Sequence, residues 1–240
     1  MEKITQPVFP KTTEIHYNDP MKIPFAKGLG SHLAWAVLPL GGAVWSFRAE
    51  AWGVSAALLV AAAAYSLFML YFFRDPERVP PEDPALVVAG ADGWVRSVED
   101  IDETTYLCQP TVRISIYLTP WDVHVNRSPI QGAVTRLDYS PGRHVLTRNP
   151  QSSEVNEHSS ILIEGDIPCL VRQIVGPLVR RVVAWLDEGQ ALARGERIGM
   201  MKFGSRLDVY LPRDRVEVVC RRGDRTTAGV TPIARLRKDL

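Results

Sequence analysis

Hydrophobic and polar positions divide the chain into two unlike parts. Between residues 33 and 73 apolar residues follow one another almost without interruption. Residues 33–47 read LAWAVLPLGGAVWSF, and residues 52–73 read WGVSAALLVAAAAYSLFMLYFF without a single charge. As a helix the second stretch extends about 33 Å at about 1.5 Å per residue, enough to cross a bilayer core. Trp52 at one end and Tyr71, Phe72 and Phe73 at the other suit interfacial anchoring. The first stretch is shorter and is broken by Pro39-Leu40-Gly41-Gly42, so it reads as a tilted span or a re-entrant half. A buried helical hairpin inside a soluble core is the competing reading, but so long an uncharged run is rare in soluble folds. A cleaved signal peptide fits poorly, because the run starts too far in and lacks a cleavage site. The linking Arg48-Ala49-Glu50 is very short. Lys22 and Lys27 precede the pair, and Arg74 and Arg78 follow it, which predicts a hairpin with both ends on the cytoplasmic side of the cell (inner) membrane.

The remainder alternates or runs apolar in short segments between turn residues, as strands do. Strands are predicted at 112–118, 133–137, 160–163, 169–175, 179–186, 206–211 and 216–220, with a short helix near 149–156. No βαβ alternation and no internal repeat is visible. The expected fold is therefore a mainly β (β-rich α+β) catalytic domain with an N-terminal helical transmembrane hairpin. Residues 1–32, polar and with four prolines, are expected to be an irregular tail, and its His16 and His32 receive no role. Residues 33–73 form the hairpin, and 74–240 the domain, entered through the proline-rich charged linker 74–84.

Charge adds little. Lys plus Arg number 28 and Asp plus Glu 27, so the formal net charge of +1 gives no bias toward polyanions, and no nucleic-acid partner is expected. Cys108, Cys169 and Cys220 are widely spaced and form no metal or disulfide pattern, so they are expected as buried thiols of a reducing compartment, with no metal.

Five segments could carry chemistry. Ala91-Asp92-Gly93 is a turn after an apolar run, or a carboxylate at a strand end that orients a base. Residues 117–129, YLTPWDVHVNRSP, concentrate Asp, His, Asn and Arg between prolines, and His124 is the natural proton carrier there. His144 and His158 sit in further polar loops. Gly204-Ser205 lies between two apolar runs, 197–201 and 206–211, and suits a tight hairpin turn. Ser205 follows a residue without a side chain, so its hydroxyl can reach back to the Gly204 carbonyl. An N→O acyl shift and β-elimination would then cut the chain.

Taken in order, FFRDPER (72–78), ADG (91–93), YLTPWDVHVNRSP (117–129), SPGRH (140–144), NEH (156–158), QIVG (173–176) and GERIGMMKFGSRLDVYLP (195–212) resemble the phosphatidylserine decarboxylase proenzymes. The likeness is to their short, pyruvoyl-dependent branch, which includes archaetidylserine decarboxylase-like members. The resemblance implies self-cleavage between Gly204 and Ser205 into a β chain (1–204) and an α chain (205–240) that stay associated. Ser205 becomes the pyruvoyl (pyruvate) cofactor. The amine of phosphatidylserine in the membrane forms a Schiff base with it, loses CO2 and leaves as phosphatidylethanolamine. The resemblance also implies an Asp-His-Ser arrangement for cleavage, with Asp92 and Ser205 at two of its positions. Longer family members carry two histidines three residues apart in this loop. His124 matches the first, and Arg127 replaces the second. The cleavage base is then His124 itself, or His144 or His158 brought in from elsewhere, with His124 preferred. Arg127 and Arg113 are candidate contacts for the substrate anions. Homo-oligomers are compatible with all of this.

Two other classes compete. One is a membrane-anchored serine hydrolase using Ser205, His124 and Asp92, although no G-x-S-x-G elbow surrounds Ser205. The other is a non-enzymatic membrane-anchored β domain of the carrier type, although no lysine sits in a suitable modification hairpin.

Overall fold

The computed structural model describes residues 25–146, 152–176, 182–201 and 205–237. The chain begins with helix α1 (Leu29–Leu33), a 3-10 turn (Ala34–Ala36), α2 (Val37–Arg48) and α3 (Trp52–Phe72). Helix thus starts inside the stretch expected to be irregular, because residues 25–26 are tied down: Phe25 bridges Arg74, and the Ala26 N–H donates to the Phe73 carbonyl at 2.8 Å. Pro39 does not break α2, which runs unbroken through Gly42. It stands in the first turn of α2, and the tighter 3-10 turn just before it falls where a proline ring would strike an α-helical carbonyl four residues back.

α2 and α3 form the expected hairpin, turned by Glu50 in the left-handed region (φ 59°). The Ser55 hydroxyl donates across it to the Ala43 carbonyl at 3.0 Å. α3 is long and apolar enough to cross a membrane, and little of it is buried within the protein. Trp45, Val60 and Leu67 stand well exposed, unlike the residues of a soluble core helix.

After the helices come β1 (Leu86–Val88), β2 (Gly93–Glu103), β3 (Gln109–Tyr117), β4 (Val125–Arg127), β5 (Gly132–Ser140), the short α4 (Ser152–Val155), β6 (His158–Glu164) and β7 (Pro168–Ile174). The chain finishes with β8 (Val182–Ala184), β9 (Ala191–Leu192), β10 (Arg197–Met201), β11 (Arg206–Pro212), β12 (Val216–Val218), β13 (Arg225–Thr226) and β14 (Pro232–Leu236). Among the described residues one sheet holds eight strands in the order β13-β2-β3-β11-β7-β6-β5-β9, beside two three-stranded sheets, β1-β14-β12 and β4-β10-β8. Every strand pair is antiparallel. The core lies on the face of the large sheet that carries Ile114, Ile116, Val171, Leu207, Val209 and Leu211.

Each predicted strand that falls on described residues has a counterpart, though residues 179–181 lie outside them. β2 escapes detection because Arg96, Glu99, Asp100 and Asp102 interrupt any apolar run, yet it pairs with β3 along its length. The expected hairpin at 204–205 is corrected. β10 and β11 do not pair with each other, because β4 and β8 occupy both edges of β10, while β3 and β7 occupy both edges of β11. β10 and β11 therefore belong to different sheets. Cys169 and Cys220 are buried as expected, but Cys108 is exposed.

Candidate active site

The site forms where β3 runs out and returns as β4. Past Tyr117, the Leu118 N–H donates to the Ser205 carbonyl at 3.0 Å. The chain then turns. Asp122 Oδ2 accepts from the Thr119 N–H at 2.7 Å and from its hydroxyl at 2.8 Å. The His124 carbonyl accepts from the Met201 N–H at 3.1 Å. Met201 and Ser205 are therefore both hydrogen-bonded to the 118–124 loop. Residues 202–204, Gly204 among them, lie outside the described residues. Ser205 and His124 are buried.

His124 has the features of a neutral base. Its Nδ1 lies 2.9 Å from the Asp122 carbonyl oxygen. A carbonyl only accepts, so Nδ1 carries the proton and Nε2 presents its lone pair. Nε2 is buried and has no hydrogen-bond partner among the described residues. Burial is the main cause that lowers the His124 pKa to about 4; the Asp122 carbonyl and the charges of Asp122 and Asp92 oppose it, and Arg74 adds to it. The wall responsible is the end of α3: the Phe72 ring lies 4.3 Å from the imidazole, tilted 35°. Phe72 and Phe73 are fully buried with Met69, Val123, Val125 and Met200 in a small core between the helix and the loop. Tyr71 and Arg74 add polar ties, donating to the Trp121 carbonyl at 3.0 and 2.6 Å.

The acidic residues take unexpected partners. Burial would raise the Asp122 pKa, but Arg225 and the Thr119 donors outweigh it and hold the carboxyl below its usual range. Asp122 thus stays ionised, and its main-chain carbonyl, a role that sequence reasoning missed, fixes the imidazole. Asp92 is buried but pairs with Arg78, whose Nη2 donates to Oδ2 at 2.8 Å, and accepts from the Ala228 N–H at 2.8 Å. Among the described residues it acts on His124 through its charge and not through a hydrogen bond. The glycine of the ADG turn has its own reason: at φ 149° a Cβ on Gly93 would lie 2.2 Å from the Tyr117 carbonyl oxygen, so only glycine lets β2 start against β3 there.

Arg127 is 3% exposed and is held inside the domain frame. It donates to Asp75 Oδ1 at 3.1 Å, to the Pro76 carbonyl at 2.9 Å and to the Gly195 carbonyl at 3.0 Å. Asp75 also accepts from Arg197 Nε at 2.5 Å, and Arg197 reaches Glu77 at 2.6 Å. FFRDPER is thus the strap that locks α3 to the sheet. Arg113 pairs with Glu99 and stands opposite Tyr210, four residues along β3 from the Tyr117–Arg206 step. His144 Nε2 meets Glu157 Oε2 at 2.9 Å, and His158 Nδ1 meets the Asn156 carbonyl at 2.7 Å. His158, Ile174 and Arg206 occupy one cross-strand row. Strand alternation puts Arg206 and Ser205 on opposite faces, so His158 lies across the sheet from Ser205. Burial lowers the His158 pKa, with Arg172 adding and the Asn156 carbonyl opposing.

The residues around position 205 suit a carbonyl group generated in place. Residue 205 is out of solvent, its main-chain oxygen is held by one N–H, and an unprotonated nitrogen stands unengaged in the adjoining loop. Comparison with known proteins agrees in region. A family model described as Phosphatidylserine decarboxylase matches residues 65–234. The phosphatidylserine decarboxylase proenzyme of Symbiobacterium thermophilum is 41% identical over 200 residues, 82% of this chain and 93% of the relative. That of Pelobacter propionicus is 43% identical over 176 residues, 72% and 79% of the two chains. A Methanopyrus kandleri protein, 37% identical over 179 residues (71% and 83%), is provisionally named an archaetidylserine decarboxylase proenzyme. A match over most of the folded domain, with relatives at this identity and coverage, means that the chain belongs to the phosphatidylserine decarboxylase family and is a lyase.

Proposed function

We propose that this protein is a membrane-bound phosphatidylserine decarboxylase that makes its own pyruvoyl group from Ser205. The observation that carries the reading is that Met201 and Ser205 both hydrogen-bond to the 118–124 loop, and that the same loop holds a buried His124 Nε2 without a hydrogen-bond partner among the described residues. Being neutral, His124 can accept the Ser205 hydroxyl proton. The Ser205 oxygen then bonds to the Gly204 carbonyl carbon, and the carbon–nitrogen bond breaks, which turns the amide into an ester. Removal of the residue 205 α-proton expels the Gly204 carboxylate and leaves dehydroalanine. Water replaces its nitrogen, which departs as ammonia, and a pyruvoyl group remains at the head of the 205–240 chain.

When formed, the group supplies an electron sink for the pair left behind as CO2 departs. The chain's own residues do the rest. The Leu118 N–H polarises the residue 205 carbonyl, where that negative charge would accumulate. His124 Nε2 takes up a proton from the incoming substrate ammonium and returns it to the α-carbon once CO2 has left, with Asp122 keeping its ring in register. Phe72 excludes water, and a less polar pocket favours loss of the substrate's carboxylate charge. Domain limits follow the same logic: an anchor at 33–73, a catalytic domain at 74–240, and β (1–204) and α (205–240) chains held together by the pairing of β11 with β3 and β7. Lys27 and Arg74 at the helix ends favour the cytoplasmic side of the membrane.

The purified protein should run as two fragments on a denaturing gel, the smaller without a free α-amine and reactive toward hydrazine. Ser205→Ala should stay whole and inactive. An intact wild-type chain that never reacts with carbonyl reagents, or a Ser205→Ala chain that still splits at the same bond, overturns the proposal. A hydrolase using Ser205 would instead take a fluorophosphonate label on the uncut chain.

A further inference from the structure

Two amides meet in the core beside the site, and their pairing is incomplete. Gln173 on β7 and Asn126 on β4 are both fully buried, and Gln173 Nε2 donates to Asn126 Oδ1 at 2.7 Å. Asn126 Nδ2 and Gln173 Oε1 have no partner among the described residues. Whichever way round two amides pair, one NH2 and one carbonyl remain. Buried polar atoms are nearly always satisfied, so an adjacent unmet donor and acceptor need a reason.

Their position supplies one. Gln173 stands opposite Leu207, and Ser205 lies two residues before Leu207 on the same face. That makes Ser205 a diagonal cross-strand neighbour, about 7–8 Å away between backbones. Asn126 follows His124 by two residues and stands opposite Gly199. A Cβ at position 199 would lie 2.4 Å from the Val183 carbonyl oxygen and 3.1 Å from Gln173 Nε2, so a glycine there keeps the room in which the amides meet. His124 Nε2 is the third unmet buried atom of this neighbourhood.

We infer that the Asn126–Gln173 pair reads the α-amino-acid headgroup of the substrate, its amide NH2 donating to the carboxylate and its amide carbonyl accepting from the amine. This rests on the decarboxylase reading and names the contacts at that same site. The chemistry matches: a free donor beside a free acceptor complements a carboxylate and an amine borne on one carbon. A neutral amide also holds the carboxylate without a counter-charge, so the ground state is not over-stabilised against loss of CO2. The ethanolamine product has lost the donor's partner, so it binds more weakly and leaves.

The test uses the full-length enzyme with Asn126→Ala, Asn126→Asp and Gln173→Met. Variants should split into two fragments and react with hydrazine as wild type does. KM for phosphatidylserine in mixed micelles should rise about tenfold in Asn126→Ala and Gln173→Met, with kcat within about threefold, as for loss of ground-state contacts. Asn126→Asp, nearly isosteric but repelling the carboxylate, should raise KM further. Wild-type enzyme needs no substitution for the companion measurement: phosphatidylethanolamine should compete at least about tenfold more weakly than the serine lipid. Variants that split normally and keep wild-type KM overturn this inference while leaving the proposed function intact. Loss of splitting in Asn126→Asp also overturns it, since the pair then serves chain cleavage. If the alanine and methionine variants do not fold, equal competition by serine and ethanolamine lipids on wild type overturns it, and unequal competition of the stated size supports it. A wild-type chain that never splits sinks the decarboxylase reading instead.

Discussion

The two faces of β11 handle polar groups in opposite ways at the step between residues 205 and 206. On the inner face Gln173 Oε1 is buried and unmet among the described residues, as are Asn126 Nδ2 of the amide it meets and His124 Nε2 two residues before Asn126. On the outer face Arg206 is gripped: it donates to Asp208 at 2.7 and 2.8 Å and to the hydroxyls of Ser152 and Ser153. Ser153 in turn donates to Asp208 at 2.9 Å. His144 and His158 on that side also have acceptors. Polar groups satisfied by the protein build structure, whereas unmet ones in a dry core are available to a reacting molecule. The clamp also suits the proposed cut between Gly204 and Ser205: Arg206, the second residue of the new chain, is gripped, so the new terminus would keep its place.

The contrast can be broken most severely at His124. His124→Ala should lower CO2 release by about a thousandfold or more, the range of a lost general acid–base; release within tenfold of wild type would move the base elsewhere. Asp208→Ala leaves the Arg206 guanidinium buried without its counter-charge, and should cost about 3–5 kcal/mol in denaturant unfolding. A cost below about 1 kcal/mol would show that the outer clamp is dispensable. Acid should separate the faces next. The folded His124 pKa of about 4 lies below the ordinary 6.5 of an unfolded histidine, so the unfolded chain binds the extra proton between these values. Its contribution, of order 3 kcal/mol, is complete above about pH 6.5 and is lost as pH falls toward 4. The rate of self-cleavage should hold down to about pH 5 and fall only near 4. Phe72→Ala, which uncovers the ring, should move that limb upward. His144→Ala or His158→Ala should change activity by less than about threefold, the smallest effect of the set. A thousandfold loss at either would reverse the assignment of the faces.

Legibility in the sequence follows periodicity. The uncharged run of α3 and the apolar alternation of β3, β6, β7 and β11 announce themselves, and so does the order of the motifs. Pairing across space does not. Nothing local says that Arg78 rather than a histidine engages Asp92, or that Arg127 turns inward to Asp75, since the partners lie 14 and 52 residues apart. The hairpin at Gly204-Ser205 fails for a related reason: turn chemistry is local, but each neighbouring strand finds both its partners elsewhere. Gln173 did leave a trace. In β7 the inward positions run Cys169, Val171, Gln173, and a glutamine in that series breaks the apolar pattern as functional residues do.

Phe72 is the last residue of α3 and also the cover of His124. Under the proposed function, a span ending on the ring of the base would tie the chemistry to the plane in which the lipids diffuse. Encounter would then be a two-dimensional search. Turnover would track the mole fraction of substrate among its neighbours in the leaflet, and diluting the vesicles with buffer would leave it unchanged.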